Sequence, residues 1–438
     1  MSDTRPRHAA PDPKAGVRAT RTVRFWAVPI VITVAVLSAL AAFYLGGILN
    51  PTTNLRHFPI AVVNEDAGPT GDQLVSGVTS GLDKDKFDVR ALSRQDAMRQ
   101  LDTAQVYGAV VIPPTFSSKL QDFARSAVAL GPIDRPVVHV TTNPRAGRLG
   151  SSIAGHTLSQ AMTVANHRLG ERLSQEVAMQ SQGAPMAAAV AAILGSPIDV
   201  KSEVYKPLPN GTGNGLSAFY YALLLLLAGF TGSIVVSTLV DSMLGYVPAE
   251  FGPVYRFAEQ VRISRFRTLL IKWALMALLA LLTSAVYMAI ASGLGMPIDR
   301  SWPIWLYGVF AIAAVGVTST SLIAVLGTLG LVVSMFVFVI LGLPSAGATV
   351  PLEATPPLFG WLAKFEPMHQ VYLGARALLY LDGRADAGLS HALVLTAVGL
   401  VIGLLLGGIV TRIYDRRGYH RIPAAPGPEK ATPEPEES

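Results

Sequence analysis

The chain has 438 residues, 51% of them hydrophobic and only 15% charged, with a mean hydropathy of +0.43. Soluble domains carry about 25% charged residues, so this composition excludes an ordinary water-soluble protein and implies several membrane crossings. The net charge of +6 collects beside the first and last apolar runs, as the positive-inside rule requires of cytoplasmic flanks, and needs no nucleic acid to explain it.

Residues 1–24 are basic, contain Pro6, Pro11 and Pro13, and read as a disordered cytoplasmic tail. The apolar run at 25–49 is the first span. Ala39-Leu40-Ala41 has the look of a cleavage site, but the run exceeds the roughly 7–15 apolar residues of a signal peptide, which favours an anchor. Residues 50–215 are of mixed polarity and long enough for one folded domain, placed outside by the basic flank that precedes the first span. Short β-rich runs at 59–63, 87–92, 106–112 and 137–141 alternate with helical patterns such as 116–130, which predicts an α/β or α+β module. After Pro144, the stripe Leu149, Ile153, Ala161, Ala165, Leu169, Leu173 and Val177 reads as domain core in preference to a dimer seam.

The second span, 216–240, returns the chain to the cytoplasm. The loop 241–267 carries Arg256, Arg262, Arg265 and Arg267, with Val254, Phe257, Val261 and Ile263 interleaved, which predicts an amphipathic helix over 253–265. The third span is 268–294, with Lys272 near its inner end, where an ammonium reaches water by snorkelling. From Trp302 to Val350 run 49 residues without one Asp, Glu, Lys, Arg or His. One span needs about 20 residues, so this stretch holds two, at 303–325 and 329–345, folded back at Gly327-Thr328-Leu329-Gly330. Helix must end at Pro344-Ser345-Ala346-Gly347, ahead of Pro351, Pro356 and Pro357, because proline cannot continue it. Residues 346–388 then form a partly buried, re-entrant outer segment. The sixth span is 389–410, and the tail 411–438 turns Pro- and Glu-rich from 422 and reads as disordered. The expected fold is an α-helical integral membrane protein with six transmembrane helices and an α/β (α+β) extracytoplasmic domain inserted between helices 1 and 2. Both termini are expected in the cytoplasm and the spans in the plasma membrane.

No span carries a charge at its middle; only Lys272 and His391 approach the ends. Ion-driven carriers place ionisable groups at mid-membrane, so a self-powered secondary transporter is disfavoured. There is no G-x-x-x-x-G-K-[ST], H-E-x-x-H or G-x-S-x-G motif and no cysteine, so neither an ATPase, a hydrolase, a thiol nucleophile nor a bound cofactor is expected in this chain. Gly211-Thr212-Gly213-Asn214-Gly215 reads as a joint into the second span in preference to a phosphate cradle. The intramembrane polar groups are hydroxyls, at Thr231, Ser233, Ser237 and Thr238 and at Thr318, Ser319, Thr320 and Ser321. Close helix packing is their first reading and a weakly polar path for an amphipathic substrate the second. Gly399, Gly403 and Gly407 give the sixth span a smooth face. Asn64-Glu65-Asp66 before Gly68-Pro69 reads as a turn cap in preference to a cation site. Glu353, Glu366, His369 and Arg376 gather in the outer segment without catalytic spacing.

Four stretches carry a resemblance: "FPIAVVNEDAGPTG" at 58–71, "VYGAVVIPPTFSSKL" at 106–120, "PLPNGTGNGLSAFYYALLLLLAGF" at 207–230 and "LGLPSAGATVPLEATPPLFGWLAKFEPMHQVYLGARALLYLDG" at 341–383. With the six-span order, they resemble the permease subunit of type-2 ABC transporters, in the branch of the YhgE/Pip (phage infection protein) family, with an outer domain shorter than in its long members. The resemblance implies an exporter of a lipid-like or amphipathic substrate, driven by ATP bound to a separately encoded ATP-binding-cassette subunit. It puts a coupling helix at 253–265, where Arg256, Glu259 and Arg262 would dock the ATPase; a surface helix on anionic lipid is the equal alternative. It makes Pro344, Glu353, His369 and Arg376 parts of an outer gate, while Thr318, Ser319, Thr320 and Ser321 stay candidates to line a path on their own hydroxyls. It also implies a homodimer or paralogous heterodimer in the lipid bilayer. The competing expectations are a non-transport scaffold for secretion or surface binding, as in a phage receptor, and an outer-face enzyme using Glu65 and Asp66.

Overall fold

The computed structural model describes residues 22–128, 134–180, 188–256, 258–419 and 421; the expected disordered tails lie outside the described residues at 1–21 and from 422 onward, while Val23 and Arg24, expected in the tail, belong to the first helix. Six helices are long and apolar enough to cross a membrane: α1 (Val23–Ile48), α7 (Ser217–Met243), α8 (Arg265–Gly293), α9 (Ser301–Leu326), α10 (Thr328–Ser345) and α13 (Leu389–Arg416). Helix is the form that satisfies every backbone group within its own segment where lipid offers no hydrogen bonds. The six coincide with the expected spans to within a few residues, apart from α13, which continues six residues past 410.

The helix α9 is the hub. It packs against α7, α8 and α13, and 56% of its apolar window is buried, against 0% for α1. Close approach comes from small residues. A Cβ on Gly229 would lie 2.7 Å from Val315, and Cβ atoms on Gly403 and Gly407 would collide with the side chains of Thr318 and Ser321. Of the expected glycine face, Gly403 and Gly407 pack, while a Cβ on Gly399 would point into open space. The reversal between α9 and α10 turns on Gly327, at φ +62°, and on Gly330, where a Cβ would collide with the Leu322 carbonyl. Within α10, residues Phe336–Ile340 form one π turn.

Between α1 and α7 lies one domain. Its sheet has the order β2 (Phe87–Ala91), β1 (Phe58–Asn64), β3 (Gly108–Ile112), β4 (Val137–Thr142), β5 (Asp199–Val204). Neighbours are parallel except β3 against β4. The run β1 is apolar and buried up to its last residue, Asn64, as a parallel strand covered on both faces requires. On one face lie α2 (Pro69–Ser80), α4 (Phe116–Val128) and α5 (Arg148–Gln180), closing a core around Phe58, Ile60, Phe116, Phe123, Leu158 and Met162; on the other, α3 (Arg94–Asp102) covers Ala61, Val63 and Ala109 with Ala97 and Leu101. The stripe on α5 supplies Ala161, Ala165 and Leu169 to this core, so the intradomain reading stands. A short helix α6 (Ala188–Leu194) precedes β5.

The loop between α7 and α8 corrects an expectation. Residues 253–265 do not form a helix. The strands β6 (Ala249–Phe251) and β7 (Val254–Arg256) make an antiparallel hairpin, and 258–264 carry no helix before α8 begins. Gly252, at φ +57°, and Pro253 supply a turn, and the β-branched and aromatic residues around them favour extended backbone. The Val261 N–H then donates to the Leu244 carbonyl and the Tyr246 hydroxyl to the Val261 carbonyl at 2.8 Å, holding the segment beneath α7.

Candidate functional site: the re-entrant segment and its surroundings

After α10 the chain makes a 3-10 turn at Leu352–Ala354, the short helix α11 (Pro357–Leu362) and the longer α12 (Pro367–Tyr380). Pro367 sits at the first position of α12, where no intrahelical N–H is missed, and Glu366 caps it, one carboxylate oxygen accepting from the His369 N–H at 3.0 Å. Apolar Met368, Val371, Tyr372 and Ala375 bury this helix against the domain-side ends of α7 and α9. Tyr307 of α9 fixes the depth: its hydroxyl lies 3.2 and 3.1 Å from the carbonyl oxygens of Gln370 and Val371. Gly374 permits that approach, since a Cβ there would collide with the Tyr307 hydroxyl.

Glu366 is 2% exposed, and its second carboxylate oxygen has no partner among the described residues. The neighbouring Ser345 hydroxyl donates instead to the Leu341 carbonyl at 2.6 Å. Burial raises the Glu366 pKa to about 7 against the pull of two backbone N–H groups. His369 is driven the other way, to about 4, by burial, with Arg376 and His391 adding repulsion. Its Nδ1 lies 2.8 Å from the Ala346 carbonyl oxygen, so the neutral ring carries its proton there and donates it.

The other expected gate residues are strung along the seam with the domain and do not converge on one cavity. Glu353 accepts from the Tyr107 hydroxyl at 3.1 Å. Arg376 donates to the Ala146 carbonyl at 3.1 Å and lies 5.5 Å over the Tyr372 ring. Pro344 packs on α1, where a Cβ on Gly47 would stand 2.8 Å from it. Arg56 donates to the Thr355 carbonyl and Arg145 to the Tyr380 carbonyl, the latter at 2.7 Å. Reading the residues alone missed Tyr107, Arg145 and Tyr307. They lie far along the chain from their partners, and only the Pro-capped start of α12 carried a local signal.

The hydroxyls of α9 lie in packing seams. Ser319 accepts from Ser233 of α7 at 2.7 Å, Thr318 donates to the Gly399 carbonyl at 3.2 Å, and Thr320 and Ser321 donate to carbonyls of their own helix. Ser319, Thr320 and Ser321 are fully buried, which agrees with the packing reading. Asp66 likewise acts as a clasp. Its carboxylate accepts from the Gly71 N–H at 3.2 Å and from the N–H and hydroxyl of Ser117 at 3.0 and 2.5 Å, holding the starts of α2 and α4 together, while Glu65 pairs with Arg94 at 2.7 Å.

At the end of the bundle opposite the domain, Arg256, Glu259 and Arg262 are exposed. Lys272 does not snorkel to water: it is 1% exposed and pairs with Asp241 of α7 at 2.9 Å, because its face of α8 is turned to α7. Asp241 also takes the Arg421 guanidinium at 2.6 Å, and Arg421 covers the Tyr246 ring at 5.1 Å. The Asp415 carboxylate accepts from the N–H groups of Arg265 and Phe266 at 2.8 and 3.0 Å, capping α8 from the end of α13.

Residues 28–401 match the family model described as Protein of unknown function (DUF3533), and the chain belongs to that family. No curated protein and no solved structure matches it.

Proposed function

We propose that the chain is a membrane permease that exports a lipid-like or amphipathic substrate, with its energy supplied by a separately encoded ATPase. The observation that carries this reading is the re-entrant segment. An element bearing Glu366, His369 and Arg376 is expensive to bury beside apolar spans. A mere anchor has no use for a buried carboxyl left half-partnered, whereas an outer gate that opens and closes does. The resemblance to type-2 ABC permeases agrees with this, and so does the absence of a mid-span charge. In this reading the domain lies outside, the termini and the hairpin β6–β7 lie in the cytoplasm, and Arg256, Glu259 and Arg262 receive the ATPase without a helix of their own. The non-transport scaffold is the alternative that the test removes or restores.

The test is ATP turnover. The full chain, purified from native membranes in mild detergent, is expected to bring down a nucleotide-binding subunit and to stimulate its hydrolysis. The double variant Glu259→Arg, Arg262→Glu, on an exposed segment where folding tolerates change, is expected to lose that stimulation. Recovery of the chain without any ATP-hydrolysing partner would leave the scaffold reading in its place.

A further inference from the structure

Two cavities meet at the glycine-rich loop before α7. On one side is a cup of about 470 Å³ between this loop and the start of α5, with Arg148 on its wall. On the other is an apolar groove of about 610 Å³ between α7 and α8, lined by Tyr220, Leu224, Tyr287 and Leu294. Gly211 and Gly213 border both. We propose that the two form one site for an anionic phospholipid of the leaflet on the domain side, with its headgroup in the cup and a chain in the groove. The proposal rests on the permease reading only in naming the class of amphiphile that the permease handles.

The cup is built for an anion. Arg148 is exposed and has neither an ion pair nor a hydrogen bond among the described residues. It also opens α5, where the helix dipole opposes an unpaired cation and favours an anion. Across the cup, Gly213 and Asn214 both stand at φ +56°, a turn in which successive N–H groups can face an anion. The N–H groups of Gly211, Gly213 and Asn214 donate to nothing among the described residues. The groove is built for hydrocarbon. Tyr220, Leu224, Ile290 and Leu294 are exposed at the domain-side ends of two spans, the depth at which tyrosine rings meet headgroups. A free anion would use the cup and leave the groove bare, and a zwitterionic lipid would set its own cation beside Arg148. An anionic lipid fills both.

Native mass spectrometry of the full chain in detergent, titrated with phosphatidylglycerol and phosphatidylcholine of equal chain length, tests this. We expect phosphatidylglycerol to be retained about fivefold better, as one partly exposed charge-assisted contact provides. Arg148→Gln is expected to bring the two lipids to parity without weakening phosphatidylcholine, and Ala291→Trp, which fills the groove, to weaken both. Equal retention by the parent chain, an undiminished preference in Arg148→Gln, or displacement of the lipid by millimolar inorganic phosphate would each overturn the proposal. No ATP or partner enters this measurement, so its failure leaves the turnover test of the permease reading untouched, and the reverse holds.

Discussion

At the domain-bearing end of the bundle, Arg56, Arg145 and Arg376 each give a hydrogen bond to a backbone carbonyl across the seam. At the opposite end, Lys272 and Arg421 converge on the single carboxylate of Asp241, and Asp415 caps α8. The two fastenings differ in how they fail. A guanidinium that leaves a carbonyl at a part-buried seam can be resolvated, and each bond is worth about 1.5–3 kcal/mol. A buried ion pair that loses one member leaves a charge stranded where water cannot reach it. One end therefore parts stepwise and the other holds or breaks as a whole, which is what the proposed outer gate requires.

The largest expected effect tests the base. Asp241→Ala is expected to destabilise the protein by about 3–5 kcal/mol, the cost of stranding a buried partner. Asp241→Leu with Lys272→Met is expected to recover most of it, read as thermal unfolding in detergent. If both variants unfold alike, the pair is not what secures that end.

A smaller, pH-dependent effect tests the gate. The folded state holds the Glu366 proton to about pH 7 against a usual value of 4.5, so ionising it opposes folding. Its effect is absent below about pH 4.5 and costs about 3 kcal/mol above pH 7, since each tenfold change in proton affinity is worth about 1.4 kcal/mol. His369 works from the acid side. Its pKa is lowered from 6.5 to about 4, so stability is lost as pH falls through that interval. The two trends oppose each other and largely cancel in the parent chain between about pH 4.5 and 6.5, so Glu366→Gln is expected to unmask the His369 loss, stability then falling by about 3 kcal/mol as pH drops from 6.5 to 4. A profile unchanged in Glu366→Gln would show that the carboxyl is solvated.

The smallest effect sharpens the seam. Tyr107→Phe removes the hydroxyl that Glu353 accepts and is expected to cost about 1 kcal/mol. Limited proteolysis between the domain and α7 should accelerate, while the melting of the spans stays constant.

How much of this was legible in the chain follows from which physics set each part. The spans were, because uncharged runs of this length have one stable solvent; the strands β1 and β3 were, because buried strands are apolar, and the half-buried β2 and β4 were, through alternation of larger apolar with polar residues. The strand β5 was not. Asp199, Lys201 and Glu203 along it belong to an exposed sheet edge, where charge discourages further pairing and hides the strand from a search for apolar runs. The helix expected at 253–265 failed because apolar residues interleaved with charges also suit a hairpin, and Gly252-Pro253 decided between them. Of the site, the cap at Glu366 was within reach of a local reading. The pairing of Lys272 with Asp241 was not, since each lies in a different span and only packing brings them together.

The first helix, α1, touches the bundle chiefly along α10, through Tyr44 on the Val339 carbonyl and Phe43 against Phe336. Its 26 residues measure about 39 Å at 1.5 Å each, more than the roughly 30 Å of hydrocarbon in a bilayer. It is therefore long enough to cross with some tilt. The strand β1 begins ten residues after α1 ends, at Phe58 following Ile48. A tilt of α1 is thus joined by a short connection to β1, the strand between β2 and β3.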